Sequence, residues 1–316
     1  MFSTKIDIPE YPFKIDYTSP LLLMGSCFSE NIGARLQQLC FDVDINPFGV
    51  LFNPASICQN ITHLIENNEF KTDDLFQYNS LWSSYMHSTI FSDTNAVGAL
   101  EKINSRFTPA INRLKKLQFI VLTFGTSWVY KLSDTGKIVA NCHKVPASEF
   151  VRERLSATEI FDMYSELIQK LSILNPDLKI IITVSPVRHW KDGATENNIS
   201  KGILLEAAQR ISKAFPAVFY FPSYEIVVDE LRDYRFYAAD MLHPSELAVD
   251  YIFKQFSSAF FTKNTMQCIA DISKYKNAIQ HRPIHFETPH YRKFAAHLVM
   301  QKQELLNKYP FLIDRI

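Results

Sequence analysis

The sequence predicts an α/β protein, a parallel sheet wrapped by helices on both faces. Three observations predict it. Short apolar runs at Leu21–Met24, Phe119–Phe124, Leu178–Val184 and Val218–Phe221 end at Gly, Ser or Pro and read as buried strands. Segments with helical spacing of apolar residues separate them. Every polar cluster in the chain follows one of the runs, at the carboxyl end of a strand, where open α/β sheets bind ligands.

The bulk numbers agree. In 316 residues, 47% are hydrophobic and 21% charged, as in a globular protein with a large core. Thirty-three basic and thirty-three acidic side chains cancel, so no overall field draws nucleic acid or an anionic membrane, and neither is an expected partner. Five cysteines, an odd number without C-x-x-C spacing, argue against a disulfide framework or a structural zinc. No cofactor is expected, and no metal, since Cys142, His143 and His189 lack ligand spacing. No run has transmembrane length. The first twenty residues, carrying Lys5, Asp7, Glu10, Lys14 and Asp16, do not resemble a signal peptide. The expected location is the cytoplasm.

In chain order, residues 1–20 read as an extended arm. After the first strand, apolar positions at Phe28, Ile32, Leu36 and Leu39 make an amphipathic helix. Phe41–Asn46 alternates as a second strand, closed by Asn46-Pro47-Phe48-Gly49, and Asn53-Pro54 starts a helix to about Asn67. Residues 70–95, polar and aromatic without a period, read as a lid-like or binding insertion. Ala96–Leu117 is helical. Val129–Val139 is a hairpin turning at Asp134-Thr135-Gly136. Helices follow over Ala157–Leu174, Glu196–Ala214 and Ser245–Phe261. The expected organisation is one domain over 1–265 and a basic helical extension over 266–316, broken near Pro283 and Pro289.

Two stretches carry chemistry. Gly25-Ser26-Cys27 turns a strand abruptly into a helix, which lifts a short nucleophilic side chain out at the sheet's edge. The same turn aims the unpaired N–H groups of a helix N-terminus at that spot, as in the nucleophile elbow of hydrolases. Either Cys27 or Ser26 is the candidate nucleophile, and successive residues leaving a strand face opposite sides. A thiol at a helix N-terminus beside a histidine is expected to have a lowered pKa; the alternative for Cys27 is a small core residue. Asp240-x-x-His243-Pro244 offers a general base with a carboxylate to fix its tautomer, or a capped turn before a helix. Asn141-Cys142-His143-Lys144 is either a cation-bearing loop for an anionic substrate or a hairpin exit held by Asn141. Arg188 and His189 either grip a carboxylate or phosphate or pair in an exposed loop.

Gly25-Ser26-Cys27-Phe28, Asn46-Pro47-Phe48-Gly49, Gly125-Thr126-Ser127-Trp128-Val129-Tyr130, Asn141-Cys142-His143-Lys144 and Asp240-x-x-His243-Pro244 together resemble the GSCFA family. That family is similar to the SGNH, or GDSL-type, hydrolases. The resemblance covers roughly residues 15–260, and Ser29 stands where the signature has alanine. It implies a three-layer α/β/α sandwich with a mostly parallel five-stranded, flavodoxin-like sheet. It further implies a nucleophile at Cys27, an oxyanion glycine at Gly49, and an Asp240–His243 pair. The third block reads Gly125-Thr126-Ser127, without the oxyanion asparagine; Ser127, Asn141 or Asn46 are the candidate substitutes. The expected function is an esterase-like hydrolase or acyltransferase acting on an acylated glycan or small metabolite through an acyl intermediate. The alternative is an inactive scaffold that binds such a ligand.

Overall fold

In the computed structural model, which describes residues 4–280 and 288–316, the first third of the chain runs β1 (Leu21–Gly25), α1 (Cys27–Gln38), β2 (Val43–Ile45), α2 (Pro54–Glu66), β3 (Phe76–Tyr78), β4 (Leu81–Ser83) and α3 (Ala96–Leu114). It continues through β5 (Phe119–Phe124), β6 (Trp128–Leu132), β7 (Ile138–Val139), β8 (Phe150–Arg154), α4 (Ala157–Leu174), β9 (Lys179–Val184), α5 (Gly193–Ala214) and β10 (Val218–Tyr220). A short α6 (Ser223–Glu225), α7 (Glu246–Phe260), α8 (Lys263–Gln280) and α9 (Pro289–Lys308) complete it.

Five strands form a wholly parallel sheet in the order β10-β9-β5-β1-β2. The chain therefore moves outward from β1 to β2 and returns to the other side of β1 at β5. This reversal is the switch point at which ligands bind such sheets.

Side chains alternate across a strand, and the core divides accordingly. Leu22, Met24, Ile120, Leu122, Ile180 and Ile182 pack beneath α2, α3, α4 and α5. Leu21, Leu23, Phe119, Val121 and Ile181 pack beneath α1, α7, α8 and α9. The result is the expected three-layer sandwich with helices beyond it at the C-terminus. Cys268, Ile272, Tyr275, Leu305 and Leu312 of that tail belong to the second core layer. Pro289 opens α9 at its first turn, a position where its missing N–H costs nothing. Pro283 lies outside the described residues.

Two regions differ from the expectation. Residues 70–95 fold as the β3–β4 hairpin with two 3₁₀ turns, anchored by buried Phe70, Ser84, His87 and Phe91. Aromatic rings stack there out of sequence order, which is why no period shows. The expected hairpin is also larger: β8 pairs antiparallel with β6, making a three-stranded sheet in the order β7-β6-β8. Three of the five residues Phe150-Val151-Arg152-Glu153-Arg154 are charged, so the segment carries no apolar alternation. It pairs because Trp128–Leu132 offers it a full-length edge.

Candidate active site

Cys27 is the first residue of α1, directly after β1. The turn is possible because residue 25 is glycine: its φ is +142°, and a Cβ there would lie 2.3 Å from the carbonyl oxygen of Thr123. Ser26 caps the helix, its Oγ accepting from the Phe28 amide at 3.3 Å. The serine is buried and the cysteine half-buried. The two therefore divide as strand alternation requires, one bracing the turn and one opening on solvent.

Both border a cavity of about 510 Å³ at the switch point. His243 borders it as well, carried on the loop before α7. Asp240 builds that loop: its Oδ1 accepts from the amides of Leu242 and His243 at 2.9 and 3.0 Å, and its Oδ2 accepts from His243 Nδ1 at 2.6 Å. With Nδ1 as the donor, Nε2 is left as the basic nitrogen. The two amides, and then the ring, hold the Asp240 carboxyl down at about 2. Exposure and these hydrogen bonds together keep Asp240 ionised.

The expected low thiol pKa of Cys27 is not found. Burial, and next the Glu30 carboxylate one turn along, raise it, against the opposing pull of the Cys27 and Phe28 amides and of Lys201. The helix N-terminus lowers the cost of ionisation but does not overcome desolvation. Attack by this thiol needs a base.

Among the other expected site residues, Asn141, Arg188 and His189 border the cavity. The remainder are elsewhere. Gly49, with φ +79°, turns toward Ser88, whose Oγ would lie 1.9 Å from an added Cβ, and its amide donates to the Asn46 carbonyl. It is not on the cavity wall. Asn46 holds the β1 end, accepting from the Gly25 amide at 2.9 Å. Ser127 is fully buried and donates to Ser200 Oγ at 3.0 Å. Gly125 donates to the Phe52 carbonyl at 2.9 Å. The donors of Gly49, Ser127 and Gly125 are thus engaged by protein acceptors, and Asn46, whose buried NH₂ group has no acceptor among the described residues, is not on the cavity wall. The 141–144 loop presents Asn141 and Cys142 but not its cations: Lys144 is exposed away from the cavity, and His143 Nε2 bonds the Ser84 carbonyl at 2.9 Å. His189 is no cation either. Burial, then the charges of Lys201 and His243, lower it to about 4.

Two functional candidates escape sequence reasoning. Asn53 is buried on the cavity wall. Its Oδ1 caps α2 by accepting from the Ser56 amide at 2.8 Å, and its NH₂ group has no partner among the described residues. The Asn-Pro cap signal explained this residue locally and hid its second face. Lys201 is 1% exposed, and its Nζ donates to the carbonyls of Gly125 at 2.6 Å and Ser185 at 2.7 Å, at the ends of β5 and β9. No carboxylate pairs with it among the described residues. Burial lowers it to about 7, opposed by attraction to Cys27. A signal existed: Asn197, Ser200, Lys201, Leu204, Ala207, Ala208 and Ile211 form the buried stripe of α5, so a lysine occupies a core position of an amphipathic helix.

A half-buried cysteine on a strand-to-helix turn thus shares a cavity with an aspartate-oriented histidine. The chain belongs to the GSCFA family, whose profile matches residues 20–256. Among curated proteins none matches it. Solved structures similar to it include a family 3 carbohydrate esterase from Talaromyces cellulolyticus (11% identity, TM-score 0.37, 80% of this chain and 99% of that one). Another is the Clostridium thermocellum family 3 carbohydrate esterase (12%, 0.35, 80% and 98%). A third is an acetyl xylan esterase from Butyrivibrio proteoclasticus (11%, 0.38, 83% and 67%).

Proposed function

We propose that the protein is an esterase-like hydrolase or acyltransferase in which Cys27 attacks the carbonyl of an acyl ester. The observation that carries this is the division of labour at the β1–α1 turn: Ser26 is buried with its Oγ engaged as a helix cap, while half-buried Cys27 is the more exposed of the two on the cavity that His243 also borders. His243 Nε2 takes the thiol proton as sulfur bonds to the carbonyl carbon. The tetrahedral oxyanion lies against the Cys27 amide and the Asn53 NH₂ group, in place of the absent third-block asparagine. The intermediate collapses, the alkoxide leaves with the proton from His243, and a thioester remains on Cys27. Water, or a second alcohol, then attacks that thioester with His243 again as base, releasing the acid or the new ester. Buried Lys201 is a positioning residue, holding the β5 and β9 ends and compensating negative charge near the sulfur.

The reading as an inactive binding scaffold draws on the protonated, desolvated thiol. One experiment separates the two. A panel of short-chain 4-nitrophenyl esters and acetylated sugars is offered to the wild type and to His243→Ala. Turnover that falls at least about a hundredfold in the variant supports the enzyme. Ligand binding without turnover in the wild type would sink it.

A further inference from the structure

The cavity that Cys27 borders is also rich in cations. Three guanidinium or ammonium groups border it, Arg152, Arg188 and Lys191, against one carboxylate, Asp192. Asp192 is fully engaged by a bidentate bond from both terminal nitrogens of Arg152. Arg188 and Lys191 form no ion pair among the described residues. Arg188 makes only a long 3.4 Å bond to Asn198 Oδ1 and lies over the Trp190 ring, 5.1 Å from its centre. Lys191 donates to the Tyr130 hydroxyl. Two further carboxylates have partners of their own: Asp240 is held by His243, and Glu196 by Arg154. The Trp128 indole N–H and the Arg152 Nε–H are buried behind this wall, closed to solvent and without an acceptor among the described residues. The donors open to an occupant are those of Arg188 and Lys191, which suit acceptor oxygens. Two cations without counter-charge, at the rim of a low-dielectric cleft, favour negative charge in that occupant.

The aromatic groups narrow the class. Trp190, 48% exposed, and Phe52, 39% exposed, flank the opening. Exposed flat rings beside polar donors suit a ligand that has both an apolar face and hydroxyl edges. Building on the acyl-ester reading above, we infer that the substrate is an ester of a negatively charged sugar, its carboxylate or phosphate seated between Arg188 and Lys191 and its ring against Trp190. Arg188 and Lys191 are then specificity residues, outside the bond-making steps at Cys27.

Calorimetry on the full chain tests this without requiring turnover. The probes are galacturonate, galactose 1-phosphate and galactose. The expected result is binding of at least one anionic sugar about tenfold or more tighter than galactose, weakening as salt rises. That preference is lost in Arg188→Gln/Lys191→Gln, whose melting temperature stays within a few degrees of wild type. Binding of only one anion identifies the carboxylate or the phosphate as the recognised group. Equal affinity for all three sugars, no binding of any, or a preference that survives the double substitution overturns the inference. Turnover of 4-nitrophenyl acetate, followed in parallel, reports separately on the esterase reading. A protein that hydrolyses the ester but does not prefer anions loses only the substrate class. One that prefers anions but never hydrolyses loses only the enzyme.

Discussion

Cys27 and Cys142 stand on the wall of one cavity, both half-buried, and burial raises both thiols. Their surroundings separate them. Cys27 begins a twelve-residue helix, so two backbone amides and the buried Lys201 oppose the cost of ionisation. Cys142 sits in a turn whose next two residues have φ of +49° and +60°, and only Lys191 opposes burial there. Cys142 is outside any helix. Exposure and a raised pKa are thus shared by both cysteines and discriminate nothing. What distinguishes Cys27 is that a helix start at the β1 end and the buried Lys201 of α5 both act on its sulfur, while His243 borders the cavity that both cysteines share.

The harshest test of that contrast is substitution. Cys27→Ala is expected to lower ester turnover by about a thousandfold or more, since no group replaces a covalent nucleophile. Cys142→Ala is expected to leave it within about threefold. Equal losses would erase the distinction, and an active Cys27→Ala would move the nucleophile to Ser26.

A smaller effect is expected at Asn53. Serine there still caps α2 but removes the NH₂ donor, so Asn53→Ser should cut kcat by about 10- to 100-fold with little change in KM. A wild-type kcat in this variant would exclude Asn53 from the oxyanion site.

Smaller still is the effect of Lys201 on thiol ionisation. Removing a cation beside a thiol raises its pKa. At pH 6, where Lys201 with its value of about 7 is mostly charged, Lys201→Met should therefore slow iodoacetamide alkylation of Cys27 by about tenfold, one pKa unit, and leave Cys142 unchanged. Lys201→Arg should recover part of the rate, since the cation is retained. Should both cysteines slow together, the cause is a loosened fold and the electrostatic role fails.

The parallel sheet, its helices and the two corners at Gly25-Ser26-Cys27 and Asp240-x-x-His243 are legible because each is local. Apolar runs, caps and turn chemistry act over a few residues. The far wall of the cavity is not local. Trp128 and Tyr130 come from β6, Arg152 from β8, and Arg188 to Asp192 from the loop after β9. Arg152 reaches Asp192 forty residues on and covers the Trp128 ring at 4.2 Å. No period in the sequence joins them. Gly49 misled for the complementary reason. Its motif spacing matched a family glycine, but a left-handed φ is a demand of the chain's own turn, and only packing shows what the turn faces. For Cys27 the position was legible and the sign of the pKa shift was not, because desolvation depends on everything that covers the sulfur.

The last expectation concerns acid, and it compares the histidines behind each corner. His189 lies on the Cys27 side. His87, beside the Cys142 loop, is packed among Phe48, Phe70 and Phe91 with its Nδ1 against Ser84 Oγ at 3.0 Å. Burial lowers His189 to about 4 and His87 to about 3, so both are neutral in the folded protein at pH 5. In the unfolded chain each takes a proton below about 6.5. The unfolded state then binds more protons, and stability falls as pH drops from about 6.5 toward the folded values. At pH 5 the loss is on the order of 2 kcal/mol for each ring, from 1.36 kcal/mol per unit. A melting temperature that declines by several degrees between pH 7 and pH 5 is expected, with a shallower decline in His87→Gln, because glutamine keeps a polar partner for Ser84 and has no proton to gain. A flat profile in the wild type, or an undiminished decline in the variant, would mean that these rings are not held neutral by burial.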